Sequence, residues 1–237
     1  MDSEKTDLSQ LSAIVGGFAH EIRNPLSTVS LNLKLLAEEW REPANPAEER
    51  AKKRVAILQQ EVNRLQNILD EFLRIARPPA LDRQPGDMNR LLRSLVPFVE
   101  PELKRRGIAI RLYCDHSIPL IQMDGDRVRQ ALLNLVLNAQ HALEEQEDGE
   151  IALTTQVRGE NLVVSIIDNG PGIRPELLDR IFKAWYSTRP DGSGLGLPIA
   201  RRIITEHGGD IRVQSELGRG TRFDLIFPPA AGQEKKP

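Results

Sequence analysis

A histidine followed by a glutamate, His20-Glu21, stands inside a long stretch of helical periodicity that continues through Asn24. At neutral pH an unperturbed imidazole is mostly uncharged, so its ring nitrogen can act as a nucleophile. The neighbouring carboxylate can hold the other ring N–H or take its proton. Such a pair is also common on solvated helices, so it predicts chemistry only if the chain supplies a second reactant.

Three polar side chains recur along an otherwise apolar helix predicted over Asp126–Leu143. Asn134, Asn138 and His141 stand at i, i+4 and i+7, which places them on a single stripe. A buried amide without a partner costs about 1–3 kcal/mol. The asparagines therefore either bond to neighbouring backbone or direct their oxygens at Mg²⁺ and phosphate, because Mg²⁺ prefers hard oxygen ligands.

Two glycine-rich turns follow this helix. Asp168-Asn-Gly-Pro-Gly-Ile comes directly after a predicted strand, so the Asp168 carboxylate is placed to accept the exocyclic amine of an adenine. Gly170 and Gly172 let the backbone approach closely, although the same residues also begin ordinary turns. The second turn, Gly192–Leu197, precedes a helix whose N–H groups and positive dipole end predict a phosphate cradle.

The segment between the two turns, residues 174–191, has the length of a lid across a cleft. Its aromatic residues Phe182, Trp185 and Tyr186 pack the lid either against the core or against the preceding domain. The second turn lacks the Gly-Lys-Ser/Thr ending of a P-loop. It also lacks the preceding strand and the later acidic residue of a dinucleotide-binding fold.

The elements that must position these residues fall into two groups. Residues 1–77 carry apolar positions in steps of three and four, and the second half of this stretch forms a strict heptad seam. The seam residues are Val55, Leu58, Val62, Leu65, Leu69, Phe72 and Ala76. A hairpin of two such helices cannot bury both seams alone, so a four-helix bundle in a homodimer is predicted.

Residues 78–87 contain three prolines and predict an interdomain linker. Beyond it helices and strands alternate, which predicts an α+β domain over 88–229 with helices on one face of a mixed sheet. A helix is expected over Met88–Arg106, where Pro97 and Pro101 should interrupt or bend it. The polar tail, residues 230–237, is predicted to be disordered.

Composition excludes several classes of function. The chain has 237 residues, 40% hydrophobic and 28% charged, with a net charge of −2, so neither a nucleic-acid partner nor direct membrane contact is indicated. Its single cysteine, Cys114, rules out an internal disulfide. No membrane span or signal peptide is visible. We expect a cytoplasmic protein, or the cytosolic core of a larger sensor.

In their order and spacing, the motifs resemble those of bacterial sensor histidine kinases of two-component signalling, from about Leu8 to Pro228. His20–Pro25 resembles the phosphoacceptor box, Asn134–Asn138 the asparagine box, Asp168–Ile173 the first glycine box, Ile181–Arg189 the phenylalanine box and Gly192–Leu197 the second glycine box. The asparagine box and the short lid look most like the nitrogen-regulator type.

The resemblance implies a dimerisation and histidine-phosphotransfer hairpin followed by an ATP-binding α+β sandwich of the GHKL (Bergerat) type. It implies that ATP phosphorylates His20 and that a receiver-domain aspartate of a response regulator takes the phosphoryl group. Glu21 would then be the general base and Asn138 the Mg²⁺ ligand. Asn24 would orient water for dephosphorylating the regulator, or it would only accommodate the helix before Pro25.

The resemblance also implies a set of nucleotide-binding residues. They are Asn134, Asn138, His141, Asp168, Gly170, Gly172, Ile173, Thr188, Arg189, Gly192, Gly194, Leu195, Gly196 and Leu197. Three positions depart from the family: His141 and Arg189 stand where lysine is common, and Ala184 stands where proline is common. Arg189 keeps the charge and can grip the γ-phosphate bidentately, whereas a neutral His141 would stabilise phosphate less than lysine.

Two alternative functions compete with this one. A GHKL ATPase or serine protein kinase would need no His-Glu pair on a heptad hairpin. A pseudokinase scaffold would have no use for the intact Asn138, Asp168 and glycine turns.

Overall fold

A computed structural model of the chain describes residues 22, 24–43, 45–76, 81–189 and 193–229, with the backbone alone for residues 67–76. The chain divides into two compact units, Met1–Ala80 and Leu81–Pro237. His20, Glu21 and Gly192 lie outside the described residues, as do Arg77, residues 78–80 of the predicted linker and the tail 230–237.

The described residues of the first unit form two helices, α1 over residues 24–39 and α2 over Pro46–Ala76. Asn45 caps α2, because its Oδ1 accepts hydrogen bonds from the backbone N–H groups of Ala47 and Glu48, both at 3.0 Å. Its Nδ2 donates to the Glu48 carboxylate at 2.8 Å. This reciprocal capping begins α2 sharply after the turn.

The seam of the first unit is only half buried within one chain. Leu33, Val55 and Val62 form a small core. The alternate seam residues Leu58 and Leu65 remain 52% and 44% exposed. A row of leucines this exposed leaves apolar surface that a second helical pair can cover.

The second unit is a two-layer sandwich of helices on a mixed sheet, as predicted. Its helices are α3 (Met88–Arg105), α4 (Gly125–Ala142) and α5 (Gly196–Glu206), and its strands are β1 (Gln84–Gly86), β2 (Ala109–Cys114), β3 (Ile121–Met123), β4 (Glu150–Arg158), β5 (Asn161–Asp168), β6 (Asp210–Glu216) and β7 (Gly220–Phe227).

Five strands form the main sheet in the order β2-β4-β5-β7-β6, in which β2 runs parallel to β4 and the other neighbours are antiparallel. Strand β4 alternates buried and partly exposed residues, so one face of the sheet is covered. Fully buried residues from both layers, among them Leu92, Leu132, Leu153 and Phe223, form the core.

Of the two effects expected from the prolines, interruption or bending of the third helix, interruption was wrong, because α3 runs unbroken from Met88 to Arg105. Pro97 and Pro101 are both exposed and stand one turn apart. Each removes one helical hydrogen bond, and on the exposed side water can satisfy the carbonyl groups that lose their partners. The opposite side keeps its apolar contacts through Leu95, Val99 and Leu103.

Part of the predicted linker belongs to the second unit. Residues 84–86 form β1, which pairs antiparallel with β3. The backbone N–H of Asp82 donates to the Asp124 carboxylate at 3.2 Å, and Arg83 donates to the carbonyl of Glu206. Asp87 then caps α3 by accepting from the N–H of Arg90.

Hydrogen bonds connect the N-terminal end of α4 to the C-terminal end of α5. Asp124 caps α4 through its carboxylate, which accepts from the N–H of Arg127. The backbone N–H of Asp124 donates to Nε2 of the buried His207 at 3.0 Å, while Nδ1 of that ring lies 2.7 Å from the carbonyl oxygen of Ile203. Nδ1 therefore carries the proton. Within the described residues, no helix is long and apolar enough to cross a membrane.

Candidate active site

Asp168 ends β5 and is only 3% exposed. Its Oδ1 accepts two backbone hydrogen bonds, from Gly170 at 3.0 Å and from Thr221 at 3.2 Å. Both bonds go to the same oxygen, which leaves Oδ2 for a ligand donor such as an amino group. The sequence pattern placed Asp168 at the end of a strand, but it missed the support that Thr221 provides from β7.

Burial raises the pKa of the Asp168 carboxyl above its ordinary value, and the two backbone hydrogen bonds partly counteract this. Removing water disfavours the charged form, whereas N–H donors favour it. This carboxyl therefore binds a proton more readily than a solvated aspartate does.

The glycines of the first turn serve internal packing. Gly172 has a φ of +75°, and a Cβ there would lie 2.2 Å from the carbonyl oxygen of Glu216. A Cβ on Gly170 would lie 2.9 Å from Asp168 Oδ1 and 3.3 Å from Cβ of Ala142. The close backbone approach predicted for both glycines therefore occurs against the protein itself. Ile173 is held in the same way, since its N–H donates to Ser215 Oγ at 2.8 Å.

The stripe on α4 reaches both glycine turns. Nδ2 of Asn134 donates to the carbonyl of Gly196 at 3.1 Å, so this asparagine bonds to backbone, one of the two alternatives that the sequence left open. At the other end of the helix, Ala142 lies against Gly170. Asn138 and His141 stand on α4 between these two contacts, which places them between the turns.

The side chain of the half-buried Asn138 makes no hydrogen bond to any residue that the structure describes. Its amide oxygen is a hard ligand of the kind that Mg²⁺ accepts. Among the described residues there is no cluster of three or more His, Cys, Asp or Glu side chains that could hold a metal. A single amide fits a Mg²⁺ ion that takes its remaining ligands from nucleotide phosphates and water.

His141 is half-buried, and its pKa is lowered by burial and by the positive charges of Arg189 and Arg106, while Glu144 acts in the opposite direction. The ring is therefore neutral at pH 7. It can donate or accept a hydrogen bond, but a neutral ring supplies no positive charge to a phosphate.

The second glycine turn leads into α5 without a capping side chain. Leu195 occupies the N-cap position, is fully buried, and has its N–H bonded to Ser193 Oγ at 3.3 Å. The N–H groups of Gly196 and Leu197 donate to no described residue, as expected for the first turn of a helix. These donors and the dipole of α5 fit an anionic group.

The lid is held in two different ways near its middle. The Phe182 ring packs edge-to-face on the core residue Phe223 with centroids 6.4 Å apart, so this aromatic takes the core alternative. Gly194, with a φ of +67°, packs against the backbone of Trp185 and Tyr186. Trp185 itself has a φ of +65° and is 58% exposed.

Thr188 and Arg189 close the described part of the lid. Thr188 is exposed. The Arg189 N–H donates to Ser187 Oγ at 3.0 Å, and its guanidinium lies 3.7 Å from the carboxylate of Glu144. Sequence reasoning missed Glu144, although it stands three residues beyond His141.

Of the phosphoacceptor motif, the structure describes Ile22, Asn24 and Pro25. Asn24 is helical and exposed, and its carbonyl accepts from Thr28 Oγ1 at 3.2 Å. The roles of His20, Glu21 and Gly192 stay predictions.

Comparison with known proteins matches both units. A family described as "Histidine kinase-, DNA gyrase B-, and HSP90-like ATPase" matches residues 123–231, and the "His Kinase A (phospho-acceptor) domain" matches residues 10–80. The sensor histidine kinase ZraS of Escherichia coli K12 is 37% identical over 224 residues, which cover 94% of this chain and 47% of ZraS. The chain thus spans about half the length of this curated relative.

Two solved structures are similar along nearly the whole chain. Full-length ShkA in complex with AMPPNP gives a TM-score of 0.79 at 30% identity, covering 93% of this chain and 46% of ShkA. The kinase ThkA in complex with the response regulator TrrA gives a TM-score of 0.69 at 29% identity, covering 97% of this chain and 65% of that one.

Proposed function

This chain belongs to the family of two-component sensor histidine kinases, and we propose that it phosphorylates its own His20 with ATP and then phosphorylates a response regulator. The observation that carries the proposal is the meeting of three motifs at α4. Asn134 bonds to Gly196 of the second glycine turn, Ala142 touches Gly170 of the first, and Asn138 lies between them.

In the first reaction a ring nitrogen of His20 attacks the γ-phosphorus. The bond from that phosphorus to the bridging oxygen of ADP breaks, ADP leaves, and Glu21 takes the ring proton. Phosphoryl transfer needs mainly positioning and charge neutralisation. We assign adenine binding to Asp168 Oδ2, phosphate binding to the N–H groups of Gly196 and Leu197, and γ-phosphate binding to Arg189. The Mg²⁺ held by Asn138 would neutralise phosphate charge.

In the second reaction an aspartate oxygen of the regulator attacks phosphohistidine, and the phosphorus–nitrogen bond breaks. The relative ThkA forms a complex with a response regulator, which supports a partner of this class. The nitrogen-regulator subtype stays a prediction.

The exposed half of the α2 seam supports a homodimer. Leu58 and Leu65 are about half exposed in one chain, and the neighbouring Ile57 is 64% exposed. Covering these side chains with a second hairpin would remove apolar surface from water. We assign residues 1–77 to this dimerisation hairpin and residues 88–229, extended towards Leu81 by β1, to the catalytic domain.

Labelling with γ-³²P ATP tests the function. Wild type should take up an acid-labile, base-stable label, and His20→Gln should bind nucleotide yet take up none. His116→Gln, at an exposed loop position, is the matched control and should label normally.

Other results separate the alternatives. Label on serine, or free phosphate without labelled protein, would indicate the serine kinase or ATPase. Nucleotide binding without any transfer would indicate a pseudokinase scaffold. An acid-labile label that survives in His20→Gln would place the phosphoacceptor elsewhere.

A further inference from the structure

Glu144 lies two residues beyond the C-terminal end of α4, with its carboxylate facing Arg189. We propose that Glu144 competes with the γ-phosphate of ATP for Arg189, and that this competition limits how strongly the site prefers ATP over ADP. The inference rests on the proposed function, since it requires that Arg189 bind the γ-phosphate.

The carboxylate of Glu144 is shared between two guanidinium groups. Its Oε2 lies 3.7 Å from Nη2 of Arg189, and its Oε1 accepts a hydrogen bond from Nη1 of Arg106 at 2.9 Å. Arg106 is itself fixed by Glu102, which accepts from its Nε at 2.7 Å. Glu144 is therefore anchored firmly to Arg106 and only loosely to Arg189.

This asymmetry makes Arg189 the exchangeable partner. A separation of 3.7 Å is too long for a hydrogen bond, so attraction between charges alone holds the pair, and both side chains are more than a third exposed. A γ-phosphate offers more negative charge and several oxygens that a guanidinium can bind bidentately. When Arg189 turns to phosphate, Glu144 keeps Arg106 and is not left without a positive partner.

The two nucleotides should respond differently to this pair. ADP has no γ-phosphate, so Arg189 can stay paired with Glu144 when ADP binds. ATP must separate the ion pair before Arg189 can bind it. Removing the Glu144 charge should therefore favour the triphosphate selectively.

Calorimetry on the full chain tests this with Mg²⁺-AMPPNP and Mg²⁺-ADP at low ionic strength. Glu144→Gln keeps the size of the side chain and removes its charge. We expect it to tighten AMPPNP binding about two- to fivefold, the range for an exposed ion pair, and to leave ADP binding unchanged. Glu145→Gln, at the adjacent exposed position, is the control and should alter neither.

Arg189→Gln completes the test. It should weaken AMPPNP but not ADP, and in its presence Glu144→Gln should have no further effect. If Arg189→Gln weakens AMPPNP while Glu144→Gln does nothing, weakens AMPPNP or tightens both nucleotides equally, the competition is refuted and the proposed function stands. If Arg189→Gln binds AMPPNP as wild type does, the assignment of Arg189 fails and the inference fails with it.

Discussion

At Asp168, stability and ligand binding make opposite demands. Burial raises the pKa of this carboxyl, so the folded chain binds more protons than the unfolded chain between the two pKa values. As the pH falls through that window, protonation of Asp168 therefore increases the free energy of unfolding. At neutral pH the ionised carboxylate disfavours folding. The same ionised group is the acceptor that an adenine amine requires.

Asp168→Asn should separate the two effects. Its Oδ1 can still accept from Gly170 and Thr221, but the amide nitrogen would present a donor to the adenine amine, which is also a donor. We expect ADP affinity to fall at least tenfold at pH 7, about 1.4 kcal/mol, while the melting temperature without nucleotide rises.

Calorimetry and thermal unfolding on the same samples measure both quantities. In wild type, ADP binding should weaken as the pH drops, from a pH above the usual aspartate range, and the Asp168→Asn profile should lack this step. Equal ADP affinity in the two proteins at pH 7 would remove Asp168 from the adenine site.

The two asparagines on α4 should differ when replaced. Asn138→Ala removes a side chain without a described hydrogen bond, so we expect normal thermal stability and loss of the Mg²⁺ dependence of ADP binding. Asn134→Ala removes the bond to Gly196 and should lower the melting temperature. Titrations of ADP with and without Mg²⁺ check this, and an unaltered Mg²⁺ effect in Asn138→Ala would place the metal elsewhere.

The sequence could predict single residues only where local spacing decides their position. Helical periodicity found Asn134, Asn138 and His141 on one stripe. It could not reveal that Asn134 donates a hydrogen bond to a carbonyl 62 residues away, or that Glu144 faces Arg189 of the lid. Both contacts depend on tertiary packing, which leaves no periodic trace.

At the scale of elements, the first glycine turn packs closely against the end of β6. In Gly172→Ala the new Cβ would stand on a residue of positive φ and lie 2.2 Å from the Glu216 carbonyl oxygen. In Gly107→Ala the φ is similar, +74°, but the new Cβ would have no atom within 4 Å. We expect Gly107→Ala to cost about 1 kcal/mol and Gly172→Ala clearly more. Urea unfolding of both variants measures the difference, and equal costs would show that the backbone at Gly172 simply moves aside.

Element types were predictable and their interruptions were not. The alternation of helices and strands predicted helices on one face of a mixed sheet, and this architecture is confirmed. Proline was misleading twice. In α3 two prolines fall on the exposed side and leave the helix intact, and in β1 a three-residue strand contains Pro85 and resembled a linker.

At the scale of the whole molecule, the proposed phosphatase activity depends on an exposed amide of α1. Asn24→Ala should keep labelling of His20 and transfer to the regulator, because its side chain forms no described hydrogen bond. Dephosphorylation of the regulator should slow at least tenfold, about 1.4 kcal/mol of barrier, if the amide orients the attacking water.

A second exposed asparagine of α1 provides the control. Asn32 donates to the Thr28 carbonyl at 2.9 Å, and Asn32→Ala should dephosphorylate the regulator as wild type does. The decay of phosphorylated regulator measures both variants. A wild-type rate in Asn24→Ala would leave Asn24 with a structural role only.

The division into a helical unit and an α+β unit was visible in the change from heptad spacing to alternating helices and strands. The position of the division was not. It falls between Ala80 and Leu81, because Asp82 and Arg83 bond to residues 42 and 123 positions further along. Composition identifies a proline-rich stretch, but it cannot show which of its residues form hydrogen bonds to the second unit.

The pairing of β1 with β3 has a consequence for protein engineering. In a chimera that places this catalytic cassette behind a foreign phosphoacceptor hairpin, a junction before Leu81 would keep β1, the bonds of Asp82 and Arg83, and the Asp87 cap. A junction at Met88 would strip the partner strand from the buried Ile121 and Met123 and free the N-terminal turn of α3. The shortest transplantable cassette therefore begins seven residues ahead of its first helix.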